Sequence, residues 1–152
     1  TNIVPNAPDR HVSGPNKNKL APIWLSEDGS EHRRFTYFSP NRQVNQMANI
    51  IQSMGIGKGD RVTIYLPRIP EVVFAMLACA KIGAVHSVVY GGFSVESLHG
   101  RIEDSESRVL VTADGGFMRG KVVNGFIFRD VPATNVGAGT TLAWSWDFKV
   151  KN

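Results

Sequence analysis

The chain has 152 residues, 42% of them hydrophobic and 20% charged, the balance of one ordinary soluble domain with a real core. Its net charge is +4, but Arg33-Arg34 is the only adjacent basic pair, so a nucleic-acid patch is not indicated. One cysteine, Cys79, excludes an internal disulfide, and the longest apolar run, Val72 to Ala80, is far shorter than the roughly twenty residues of a membrane span.

Residues 1–20 are rich in Asn, Pro and Lys, with Gly14 among them, and read as an irregular lead-in. The chain opens on Thr1 with no signal-peptide pattern, so it is expected to start inside a longer protein, with a cytoplasmic location. "APIWL" (21–25) and "RRFTY" (33–37) read as short strands around the turn "SEDGSEH". Ser39-Pro40 marks a helix start, Ser as N-cap and Pro at the first helical position. Val44, Met47, Ala48, Ile51 and Met54 follow at amphipathic-helix spacing, and Gly55 is placed to end that helix.

In "GDRVTIYLP" (59–67), Val62, Ile64 and Leu66 alternate as in a strand. Pro70 opens a helix over 70–82, apolar on nearly every face and so buried on more than one side, and Gly83 ends it. "AVHSVVY" (84–90) is the next strand. Ser94 caps a helix over 94–105 with Val95, Leu98 and Ile102 on one face, and "RVLVTAD" (108–114) is a further strand. This alternation predicts an α/β fold with a parallel-type sheet and βαβ crossovers. From Gly125 the helical period is lost. Leu142, Trp144, Trp146, Phe148 and Val150 alternate with smaller or polar residues, the pattern of one strand with an apolar face.

In open α/β sheets ligands bind beyond the carboxyl ends of the strands, where three turns fall here. "LPRIPE" (66–71) reads as structural, with Pro70 at a helix start. In "YGGFS" (90–94), Gly91 and Gly92 leave the backbone open to a ligand beside the helix start at Ser94. The plainer reading is a glycine pair needed for positive φ in a strand-to-helix turn, and the residues alone favour it. "ADGGFMRGK" (113–121) adds Arg119 and Lys121, which could grip a phosphate or simply decorate a solvated loop. No dinucleotide fingerprint, Walker A loop or nucleophile elbow is present, and His11, His32, His86 and His99 lack metal-ligand spacing. His86, inside a strand, reads as a sheet histidine.

The blocks "DRHVSGPNKNKLAPIW" (9–24), "TY" (36–37), "KGDRVTIYLPRIPEVVFAMLACAKIGAVHSVVYGGFS" (58–94) and "RIEDSESRVLVTADGG" (101–116) resemble the acetyl-CoA synthetases. These are AMP-forming acyl-CoA ligases of the adenylate-forming superfamily, and propionate-CoA ligases share the same blocks. The resemblance spans about residues 1–124 and implies an incomplete piece of the large N-terminal domain of an adenylate-forming ligase. It further implies a reaction in which a short carboxylate such as acetate attacks ATP, with Mg, to give an acyl-adenylate and pyrophosphate. The thiol of coenzyme A then displaces AMP.

By the same resemblance Gly92 lies beside coenzyme A, and Met118, Arg119, Gly120 and Lys121 form the basic loop at its nucleotide end. Met118 stands where the family has a first basic residue; one lost charge-assisted contact costs about 1.5–3 kcal/mol. The family's phosphate loop, acyl pocket, ribose-binding Asp and C-terminal lysine have no counterpart in these residues. Residues 125–152 resemble no later block and read as a frameshifted or variant end. The expectation is therefore a ligase front part that is inactive alone, with no assigned catalytic or metal residue and small molecules as partners. The alternative is a non-catalytic α/β binding module that keeps some coenzyme A affinity.

Overall fold

Three parallel strands, β3 (Arg61–Leu66), β4 (Val85–Tyr90) and β5 (Val109–Thr112), form the centre of the computed structural model. It describes residues 2–113 in full and the backbone of residues 115–118, 121–124 and 141–143. β3 lies in the middle and is buried on both faces, as expected of a parallel sheet covered by helices. The alternation in its sequence sorts the two faces. Val62, Ile64 and Leu66 join a core with α2 (Phe38–Ser53) and α3 (Glu71–Ile82). Tyr65 points the other way, into a smaller core with Val89, Leu110 and the Leu98 and Ile102 side chains of α4 (Val95–Ser105). The sequence-predicted α/β fold is thus a helix–sheet–helix sandwich.

Local signals placed most boundaries within a residue. The helix expected from Ser39-Pro40 instead begins at Phe38, after Tyr37, whose backbone is already helical and which makes no side-chain cap. The Lys19 and Lys17 carbonyls accept the Tyr37 and Phe38 N–H groups at 3.2 and 3.1 Å, so no Ser cap is required. Pro40 then sits in the first turn, where no intrahelical acceptor awaits an N–H. Pro70 caps α3 rather than opening it, and Gly83 ends α3 in the left-handed conformation at φ 78°. α3 buries Phe74, Ala75, Ala78 and Cys79 on one side, and Val73 stays 47% exposed, so it is less enclosed than its apolar sequence suggests. Val95 is half exposed and does not share the buried stripe of Leu98 and Ile102, because it is the first helical residue at the sheet's rim.

The lead-in is less irregular than its composition suggests. A π-helical turn over Pro5–Asp9 runs into α1 (Arg10–Val12). Asp9 holds it in place, pairing with Lys81 at 2.9 Å and accepting from the Asn41 side chain at 2.6 Å. β1 (Leu20–Leu25) and β2 (His32–Thr36) form an antiparallel hairpin. At its tip Ser26 and Ser30 donate to Asp28, holding that carboxyl down at about 2. β6 (Gly115–Met118) and β7 (Lys121–Asn124) are antiparallel partners, so the stretch read as a loop is a hairpin over its described residues. β8 (Thr141–Ala143) adds a parallel strand outside β5, giving the order β4-β3-β5-β8. Of the strand expected through 142–150, Trp144, Trp146, Phe148 and Val150 lie outside the described residues.

Candidate functional site

The register of the parallel strands brings the three candidate turns to one edge. Leu66 of β3 is level with Tyr90 of β4, and Tyr65 with Thr112 of β5. The turns at 67–70 and 91–94 and the segment from Ala113 therefore leave the sheet side by side. The outer two are separated by roughly 10 Å, two strand spacings.

Gly91 and Gly92 are not there for positive φ. Neither adopts it, whereas Gly29, Gly55, Gly59 and Gly83 do. What favours glycine at 92 is a local contact with the side chain two residues back. A Cβ on Gly92 would lie 2.5 Å from Cε1 of the Tyr90 ring. That ring meets Phe93 edge to face at 6.0 Å between centroids. Arg68 lies 5.8 Å from the Tyr90 ring centroid, and Arg101 lies 5.0 Å from that of Phe93. The turn closes with the Phe93 N–H donating to the Tyr90 carbonyl at 3.1 Å. From the neighbouring strand, the Tyr65 hydroxyl lies 3.1 Å from the carbonyl oxygens of both Gly91 and Phe93. Burial pushes the Tyr65 hydroxyl pKa up, keeping it protonated and a donor.

Ser94 caps α4 as its sequence position suggested, its Oγ accepting from the Ser97 N–H at 3.3 Å. The α4 start is not a bare anion cradle, because Glu96 sits in its first turn. Its own backbone N–H and then the Ser94 hydroxyl hold the Glu96 carboxyl below its ordinary pKa. A phosphate brought to these donors would meet a carboxylate already there.

Among the predicted coenzyme A residues, Gly92 is fully placed. Met118 and Lys121 are directly paired across the β6–β7 hairpin, and Arg119 and Gly120 lie outside the described residues. His86 is a partly buried residue of β4. Cys79 is buried, and its thiol is pushed up to about 11 by that burial, which leaves it unreactive. No group of three or more His, Cys, Asp or Glu among the described residues could hold a metal ion. No helix among them is long and apolar enough to cross a membrane.

Beside the turn lies an apolar cavity of about 510 Å³, bordered by Ile23, Trp24, Phe35, Arg68, Val73 and Tyr90. The Trp24 indole N–H donates to the Arg68 carbonyl at 2.7 Å and fastens the β1–β2 hairpin over the 67–70 turn. Arg33 of β2 adds a second tie, pairing with Glu71 of α3 at 3.0 Å. Sequence reasoning missed Tyr65 and Arg68 as neighbours of the 90–94 turn. The available signal was phase: Tyr65 falls between the alternating Val62, Ile64 and Leu66, so it had to face the opposite side of the sheet.

A sequence model described as AMP-binding enzyme matches residues 9–139. The curated proteins similar to this chain include an acetyl-coenzyme A synthetase of Gemmatimonas aurantiaca, 56% identical over 122 residues. That alignment covers 80% of this chain and 18% of the relative. Proteins of the same description from Leptospira biflexa and Deinococcus radiodurans are 50% and 53% identical, over 80% and 81% of this chain and 19% of each relative. The chain thus spans less than one fifth of the length of these relatives. With a family match that takes in most of its length and the parallel α/β core that carries it, the chain belongs to the AMP-binding enzyme family.

Proposed function

We propose that residues 1–124 are the front part of the large N-terminal domain of an acetyl-CoA synthetase-like ligase, with 125–152 as a divergent tail. The observation that carries this reading is the 56% identity over 122 residues to an acetyl-coenzyme A synthetase. The whole enzyme would convert ATP, acetate and coenzyme A to AMP, pyrophosphate and acetyl-CoA. The elements that would hold ATP and Mg have no counterpart in these residues, so the 152-residue chain alone does not form the adenylate.

Coenzyme A is the ligand this portion would touch. Gly92 presents exposed backbone with no side chain of its own, beside the Tyr90 ring. Glu96 disfavours phosphate at the start of α4, so an uncharged stretch of coenzyme A passes Gly92. Its phosphates then go to the basic loop, where Arg119 and Lys121 supply charge and Met118 and Gly120 supply backbone. A second reading, a non-catalytic α/β module retaining coenzyme A affinity, draws support from the two cores on either side of β3. Both are built from residues between Phe35 and Ala113.

The purified chain is expected to release no pyrophosphate with ATP and acetate, and acetate-dependent release would overturn the front-part reading. Calorimetry with coenzyme A should detect weak binding that Arg119→Ala weakens by about 1.5–3 kcal/mol, the worth of a charge-assisted contact. No binding by the unmodified chain would remove the coenzyme A assignment. The DNA beyond codon 124, read in three frames, tests the tail: later family blocks in another frame would identify it as a frameshift.

A further inference from the structure

We infer that Tyr65 is a positioning residue for the Gly91–Ser94 turn, turning the Gly92 and Ser94 N–H groups outward as a pair of hydrogen-bond donors. The hydroxyl lies 3.1 Å from the Gly91 carbonyl and 3.1 Å from the Phe93 carbonyl. Each carbonyl shares a peptide unit with the next residue's N–H, and no peptide bond here is cis. In a trans peptide the C=O and N–H point in opposite directions. Drawing the Gly91 and Phe93 carbonyls in toward Tyr65 therefore drives the Gly92 and Ser94 N–H groups away from it. Among the described residues neither N–H has a hydrogen-bond partner.

The anchor comes from the sheet, not from the turn. Tyr65 belongs to the middle strand, and its ring is enclosed by Val89, Leu98, Ile102 and Leu110. Its hydroxyl is thus held by packing that does not depend on the turn it shapes. Two donors beside a side-chain-free glycine suit a carbonyl or hydroxyl acceptor on an uncharged ligand segment. With Glu96 next to them, they suit it better than a phosphate. The assignment of that segment to coenzyme A rests on the proposed function; the shaping of the turn does not.

The test is Tyr65→Phe in the 15N-labelled 152-residue chain, which keeps the ring and removes only the hydroxyl. Hydrogen exchange of the Phe93 amide, which closes the turn, is expected to quicken about tenfold, while amides of the β3–β4 ladder stay unchanged. Coenzyme A affinity should fall about five- to tenfold. Unchanged Phe93 exchange, or an equal rise across the ladder, would overturn the positioning role. A variant with a loosened turn and undiminished coenzyme A affinity would uphold the positioning role and overturn coenzyme A as the ligand of the two donors. A wild-type chain that binds no coenzyme A removes the proposed function, and the exchange result alone then judges Tyr65. If the variant does not fold, the wild-type chain labelled at tyrosine Cζ decides in mixed H2O and D2O. A resolved isotope splitting at Tyr65 marks a slowly exchanging, bonded hydroxyl and supports the inference, and a fast-exchanging one sinks it.

Discussion

Gly92→Ala adds one methyl group at the place where the turn is tightest. The new Cβ would sit 2.5 Å from the Tyr90 ring, against an ordinary carbon–carbon contact of about 3.5–4.0 Å, so the ring must retreat by roughly 1 Å. Tyr90 is 40% exposed and has room to swing outward. The swing weakens its edge-to-face contact with Phe93, worth about 0.5–1.5 kcal/mol, and its stacking with Arg68, worth about 0.5–1 kcal/mol at an exposed site. The backbone itself is not strained, because Gly92 does not use positive φ. The expected loss of stability is therefore about 1–2 kcal/mol, read from urea unfolding followed by circular dichroism. Aromatic NMR should show the Tyr90 and Phe93 ring signals shifting while the β3–β5 amides hold. If the proposed ligand is right, coenzyme A binding is lost together with the ring geometry. A loss above about 3 kcal/mol would refute the reasoning, since only a conformational requirement or a collapsed core reaches that size. Unmoved Tyr90 signals would refute it equally.

Phe74 is 2% exposed and packs edge to face on Phe35 at 5.6 Å, joining α3 to the β1–β2 hairpin. Phe74→Ala should cost about 3–5 kcal/mol, visible as a large drop in the urea midpoint. Glu71 is almost wholly buried, with Arg33 on one oxygen and no partner on the other among the described residues. Arg33→Met should destabilise by about 1–3 kcal/mol because it leaves a buried carboxylate alone. Adding Glu71→Gln should recover part of that loss in a double-mutant cycle, and strict additivity would show that the pair is uncoupled. Cys79 should not react with a thiol reagent at pH 8 until urea unfolds the chain. Its folded pKa, about 11, stands above the ordinary 9.0, so unfolding gains favour as pH rises from 9.0 toward 11, where the unfolded thiol ionises and the folded one does not. A pH-independent urea midpoint through that window would contradict this burial.

The order of elements was legible in the sequence because its causes are local. The spacing of Val44, Met47, Ala48 and Ile51 makes one face of α2, and all four are buried. The alternation of Val62, Ile64 and Leu66 commits those residues to one side of β3, and Gly83 and Ser94 close and open helices as their backbone chemistry dictates. The family blocks also lie along the chain in order, so they can be read without coordinates.

The reason for glycine at position 92 could not be read this way. Sequence offered a generic cause, positive φ, and the observed conformation replaced it with a specific one, the Tyr90 ring folded back against the turn. Likewise nothing near "YGGFS" announces that a hydroxyl 26 residues upstream holds its Gly91 carbonyl. Periodicity reports which side of a strand a residue faces, but not what stands opposite it. That is set by parallel pairing, which brought β3 beside β4 with Leu66 level with Tyr90 and so put Tyr65 within reach of the turn. The chain thus spelled out its ancestry and the helices and strands from β1 to β5, but not the helical turns of its lead-in or the β6–β7 pair. The shape of its glycine turn was decided by where the Tyr90 ring folds, two residues back, and by a Tyr65 hydroxyl brought from 26 residues upstream.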